Sequence, residues 1–127
     1  MTSSVPVVHV VDDDASMRTA VERLLSAAGY TVRTYASAGD FLLHPVDGPG
    51  CILLDVRMPG PDGIALHEAL LQRGDALPAI FITGHGDVAT SVRAMKAGAV
   101  DFLTKPVEKD VLLGAEGAVR RGIDNQP

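Results

Sequence analysis

Five short apolar runs alternate with five stretches of helical periodicity, and this alternation restricts the fold more than any other property of the chain. The runs are Val7 to Val11, Thr31 to Tyr35, Cys51 to Asp55, Ala79 to Thr83 and Val100 to Thr104. Apolar residues then recur at helical spacing: Met17, Val21, Leu24, Leu25 and Ala28 after the first run, and Leu66, Ala69, Leu70 and Leu71 after the third. Val88, Val92 and Met95 read as the inner face of the helix after the fourth run. A helix from about Lys109 to Arg121 follows the fifth. Ser37, with Asp40 three residues on, marks a capped start for a short helix through Leu43, and Asp87 is the expected cap of the fourth helix. Gly29, Gly74 and Gly98 stop three of the helices. Strands separated by helices pair in parallel through right-handed crossovers, which predicts a doubly wound α/β sheet covered on both faces. Gly114 and Gly117 weaken the fifth helix, since each costs roughly 1 kcal/mol relative to alanine.

With 127 residues, 46% of them hydrophobic, the chain is long enough for one well-filled domain and too short for two ordinary domains. The expected organisation is a tail at 1–6, one domain over 7–121, and a tail or the start of a linker at 122–127. Sixteen acidic residues against 11 basic ones give a net charge of -5. No lysine and arginine stripe is present that could neutralise a phosphate backbone, so direct nucleic-acid binding is not expected. Cys51 is the single cysteine, which excludes an internal disulfide. No apolar run approaches membrane-spanning length, and a cytoplasmic location is expected.

The run Cys51 to Leu54 does not alternate, and it stops on Asp55. It therefore reads as a central strand buried on both faces, with a carboxylate at the carboxyl edge where ligands collect in open parallel sheets. In the flavodoxin-like strand order 2-1-3-4-5 the first and third strands are neighbours, and Asp12 and Asp13 then end beside Asp55. Like charges about 4 Å apart repel by roughly 4 kcal/mol at an effective dielectric of 20, so three carboxylates there should bind a cation or raise their pKa values. Mg²⁺ suits an all-oxygen site. Thr83 and Lys105 end the fourth and fifth strands over the same edge, and Gly84 leaves room beside Thr83. A nucleophile, a metal site, a hydroxyl and an ammonium are what phosphoryl transfer requires. Each feature alone is ordinary, since an Asp run is commonly a solvated turn and a Lys-Pro step commonly a strand stop.

The motifs Val-Asp-Asp-Asp (11–14), Leu-Asp-Val-Arg-Met-Pro-Gly-Pro-Asp-Gly (54–63), Ile-Thr-Gly-His-Gly-Asp (82–87), Ala-Met-Lys-Ala-Gly-Ala-Val-Asp-Phe (94–102) and Lys-Pro (105–106) resemble the receiver domain of bacterial two-component response regulators. The resemblance covers about Val7 to Arg121 and is strongest to the FixJ-type branch, whose members usually carry a LuxR-type helix-turn-helix after the receiver. It implies that Asp55 accepts a phosphoryl group from a sensor histidine kinase. It further implies that Asp13, Asp55 and the Arg57 backbone carbonyl ligate Mg²⁺, with Asp12 holding a coordinated water. Thr83 and Lys105 would engage the phosphoryl group, and Phe102 would be the switch aromatic. The Lys105-Pro106 peptide would be cis. Homodimerisation through the fourth helix, fifth strand and fifth helix would report the signal, and the output would be transcription control by a domain beyond residue 127, with no turnover of an outside substrate.

Two other readings compete. A haloacid-dehalogenase-like phosphatase would use Asp12 as nucleophile, but no acidic pair follows a strand beyond Lys105, and Asp55 would be unexplained. A phosphorylation-independent binding module would have no need of the full acidic, Thr and Lys set. A nucleotide or flavin module is disfavoured by the acidic first turn. Among quieter residues, Asp14 is read as capping the first helix as much as touching the metal, His9 as core, His44 and His67 as surface or packing residues, and His85 as a loop residue.

Overall fold

The computed structural model describes residues 6–44, 48–58, 62–74, 77–84, 88–105, 108–114 and 117. The strands are β1 (Val7–Val11), β2 (Thr31–Tyr35), β3 (Gly50–Asp55), β4 (Ala79–Thr83) and β5 (Asp101–Thr104). The helices are α1 (Ala15–Ala27), α2 (Ala38–Leu42), α3 (Gly63–Gln72) and α4 (Val88–Lys96), and residues 109–114 are the helical start of α5. All strand pairs are parallel, in the order β2-β1-β3-β4-β5. The expected doubly wound sheet is the one observed.

Each strand places alternate side chains on opposite faces, and this parity builds two cores. On one side Val8, Val10, Cys51, Leu53, Ile80, Ile82 and Leu103 meet Val21 and Leu25 of α1 and Leu112 of α5. On the other, Val11, Ile52, Leu54, Ala79 and Phe81 meet Phe41 of α2, Ile64, Leu66 and Leu70 of α3, and Ala94 of α4. β3 is buried at every position, as its unbroken apolar run requires. β2 lies at the sheet edge and exposes Thr31 and Arg33.

Local caps fix where the helices begin. Asp14 caps α1 by accepting the Ser16 and Met17 amides, Ser37 caps α2 by accepting the Asp40 amide, and Asp62 caps α3 by accepting the Ala65 amide. Gly29, Gly74 and Gly98 follow α1, α3 and α4 with φ of 96°, 84° and 95°, a left-handed stop that glycine adopts at least cost.

Several helix faces differ from the periodicity reading. Val92 and Met95 are 43% and 52% exposed, whereas Thr90 and Ala94 are buried. Among the described side chains of α4, the inward positions are the small residues Thr90 and Ala94, and Val92 and Met95 turn outward. Ala28 is exposed because it is the C-cap of α1, and Leu71 is 47% exposed on the outer side of α3. Val100 precedes β5 and is exposed. The expected Asp87 cap, His85, the Lys105-Pro106 peptide and the tails lie outside the described residues.

Two histidines are packed. His9 is buried against Tyr35 and Phe41, with Nδ1 sharing a hydrogen bond with the Tyr35 hydroxyl at 3.1 Å. Burial, with Arg33 nearby, pushes its pKa down to about 4, so it is neutral near pH 7. His67 is buried, stacks edge-on against Phe81, and donates from Nε2 to the Ala97 carbonyl at 2.9 Å, tying α3 to the end of α4. His44, read from sequence as either a surface or a packing residue, is exposed.

Candidate functional site

Parity also builds the site. Asp12 follows Val10 by two residues, Asp55 follows Leu53 and Lys105 follows Leu103, so all three continue the α1/α5 side of the sheet past its carboxyl edge. β1 and β3 are neighbours with Val11 opposite Leu54, which brings Asp12 level with Asp55. The Lys105 ammonium lies 3.1 Å from Asp12 Oδ2 and 3.5 Å from Asp55 Oδ2. It bridges the two carboxylates from the end of β5, across β4.

Carboxylate oxygens of Asp12, Asp13 and Asp55 all lie within 4.8 Å of one another. Asp12 and Asp55 are buried, at 3% and 5% exposure, while Asp13 faces solvent. Two oxygens bound to one Mg²⁺ at about 2.1 Å are at most about 4.2 Å apart, so a small inward movement would close the set on a cation. The open Asp13 side leaves space for the waters that Mg²⁺ retains. The residues present fit that ion.

The electrostatics point the same way. Asp55 has its pKa pushed up to about 7, first by burial and then by repulsion from Asp12, with Lys105 and the Arg57 amide pulling in the opposite direction. Lys105 is raised by its hydrogen bonds and attraction to Asp12 and Asp55, which together outweigh its own burial. The Arg57 N–H donates to Asp55 Oδ1 at 3.3 Å, which sets the backbone of residue 57 beside the Asp55 carboxylate while its side chain is exposed.

Gly63 opens α3 directly behind Asp55. A Cβ there would collide with the Asp55 carbonyl oxygen and touch Leu54 Cβ at 3.3 Å, so only glycine permits this approach. Among the described residues, an added Cβ at Gly84 would meet only Lys105 Cδ, at 4.0 Å.

Thr83 is fully buried at the end of β4. Ile82 is the register partner of Asp55, so Thr83 stands one residue further toward the edge. By strand alternation it belongs with Ala79 and Phe81 on the α3/α4 side, together with Phe102, which pairs with Phe81 and packs partly buried against that core. The sheet therefore carries Asp12, Asp55 and Lys105 on one side and Thr83 and Phe102 toward α4 on the other.

Sequence reading did not find Arg18, whose Nη1 donates to the Asp12 backbone carbonyl at 2.7 Å. No periodic signal marks an arginine that folds back six residues to a strand end. Gly63 had a signal, since it lies in the motif after Asp55, but its steric role needs the α3 approach to be seen.

A family model described as the response regulator receiver domain matches residues 8–115. The chain belongs to this family. The receiver is 46% identical over 116 residues to the transcriptional regulatory protein FixJ of Bradyrhizobium diazoefficiens, covering 90% of this chain and 57% of that protein. It is 42% identical over 117 residues to the response regulator protein TodT of Pseudomonas putida, covering 91% and 51%. The crystal structure of FixJ-N superposes with a TM-score of 0.84 at 38% identity, covering 100% of this chain and 98% of that one. The receiver spans about half the length of the curated relatives it matches. No helix among the described residues is long and apolar enough to cross a membrane.

Proposed function

We propose that this receiver accepts a phosphoryl group on Asp55 from the phosphohistidine of a sensor histidine kinase, and that the modification changes an interaction surface. The observation that carries this reading is the placement of Asp55: buried at the end of the central strand, 3.5 Å from an ammonium and within a three-carboxylate cluster. A carboxylate oxygen of Asp55 forms the new O–P bond as the N–P bond to the donor imidazole breaks. The attacking oxygen must be ionised, and Lys105 offsets charge on the transferred group. Mg²⁺, held by Asp13, Asp55 and the Arg57 carbonyl with Asp12 orienting a water, would supply charge neutralisation at the phosphoryl oxygens. No turnover of an outside substrate is proposed.

Phosphorylation adds about -1.5 to -2 charges and three acceptor oxygens. A charge-assisted bond from Thr83 to one of them contributes roughly 1.5 to 3 kcal/mol, enough for a coupling that changes partner affinity about 5 to 150-fold. Thr83 and Phe102 share the α4 side of the sheet, so movement at the edge bears on α4. α4 buries Thr90 and Ala94, and open clefts of about 350 and 240 Å³ lie along it, lined in part by Thr90, Arg93 and Ala97. Val92, Met95, Val100 and Val111 are exposed on α4, beside β5 and on α5. We assign this face to homodimerisation on phosphorylation, and the output to transcription control in the cytoplasm.

The test is intact mass after acetyl phosphate treatment, with and without Mg²⁺, for the natural chain and Asp55→Asn. One phosphoryl group that needs Mg²⁺ and is absent from the variant supports the reading. An adduct on Asp12, or none even with a phosphoryl mimic, would favour the phosphatase or binding-module alternative.

A further inference from the structure

Asp12 is held at four points. Its N–H donates to the Tyr35 carbonyl at 3.1 Å, its Oδ1 accepts the Asp14 amide at 2.9 Å, its Oδ2 meets Lys105, and its carbonyl accepts Arg18 Nη1 at 2.7 Å. Asp13 differs. Among the described residues its carboxylate has no hydrogen bond or ion pair, so its position is set through the backbone alone. The peptide that joins the two residues carries the Asp12 carbonyl, which lies beyond the last β1–β3 pair, Val11 opposite Leu54. Arg18, half-buried in the first turns of α1, therefore grips the peptide plane that enters Asp13, whose rotation would swing Asp13 away from Asp55.

We infer that Arg18 is a positioning residue for the cation site, holding the Asp12–Asp13 peptide so that the Asp13 carboxylate faces Asp55. This rests on the Mg²⁺ reading above. Two effects of removing Arg18 have opposite signs, and that makes the inference sharp. Loss of a cation beside three carboxylates would by Coulomb's law tighten Mg²⁺ binding. Loss of a group that orients a ligand typically weakens metal affinity about 10 to 100-fold. Only positioning produces a loss.

The chain has no tryptophan to report binding, so the experiment is Mg²⁺ titration by calorimetry and by the backbone amide signals of Asp13 and Asp55. It uses the natural chain, Arg18→Ala, Arg18→Lys, Asp13→Asn and the Asp13→Asn/Arg18→Ala double variant. Arg18→Ala is expected to weaken Mg²⁺ about 10-fold, and Arg18→Lys, which keeps a charged donor, to restore most of the affinity. In the Asp13→Asn background the Arg18→Ala change is expected to have little further effect, because the carboxylate it positions is gone. Unchanged or tighter binding in Arg18→Ala overturns the inference, as does an equal further loss in the double variant. A natural chain that binds no Mg²⁺ at millimolar concentration would instead overturn the metal reading on which this one stands.

Discussion

Replacing Asp55 by asparagine should stabilise the metal-free protein at pH 8, although it removes the proposed acceptor. The carboxyl is buried at 5% exposure, beside Asp12, and its pKa climbs from 3.8 to about 7. At about 1.36 kcal/mol per pH unit that climb corresponds to about 4 kcal/mol; solvent screening at the open sheet edge reduces it to roughly 2 kcal/mol. The folded state holds the Asp55 proton more tightly than the unfolded chain does. Its contribution to stability is therefore full below pH 4 and is lost as pH rises toward 7. Asparagine is never ionised, keeps the shape, and can accept the Arg57 amide as Asp55 does. Urea unfolding at pH 8 in EDTA should place Asp55→Asn about 1 M above the natural chain, for a typical slope of about 2 kcal/mol per M. At pH 4 the two midpoints should converge. Adding Mg²⁺ at pH 8 should raise only the natural chain appreciably and narrow the gap. Equal midpoints at pH 8 in EDTA, or a less stable variant, would show that the crevice does not penalise the Asp55 charge and would refute the reasoning.

Other consequences follow from single contacts. His9 is held neutral with a pKa near 4 against an ordinary 6.5, so its contribution is full above pH 6.5 and is lost as pH falls toward 4, by at most about 3 kcal/mol; His9→Phe should flatten that limb of the pH–stability curve. Gly63→Ala drives a methyl into the Asp55 carbonyl and should cost about 1 to 3 kcal/mol, read as a lower urea midpoint. Lys105→Met removes the ammonium that pulls the Asp55 pKa down, and a carboxyl NMR titration should find that pKa higher than in the natural chain. Val92→Asp with Met95→Lys changes exposed positions and should leave stability within about 0.5 kcal/mol, while keeping the protein monomeric by sedimentation after treatment with a phosphoryl mimic.

The order of elements was legible because strand and helix periods are local properties, and a buried strand must be apolar at every position. Cys51 to Leu54 could be little else. Asp12, Asp55 and Lys105 could be assigned to one edge because parallel strands all end on the same side, and a fixed strand order makes neighbours of residues far apart in the chain. Caps at Asp14 and Ser37 were legible for the same local reason.

Tertiary structure decided the rest. Periodicity marks a helix's apolar stripe but not which of its edges meets the sheet, and at α4 the fold puts Thr90 and Ala94 inside and turns Val92 and Met95 out. Sequence suggested that Thr83 and Lys105 crown one edge; strand register decided that Lys105 bridges Asp12 and Asp55 while Thr83 belongs with Phe102 on the α4 side. The link from His67 to Ala97 spans 30 residues and that from Arg18 to Asp12 reverses six. Both join a side chain to a backbone carbonyl, an acceptor that every residue carries, and so only the folded chain identifies which carbonyl is used.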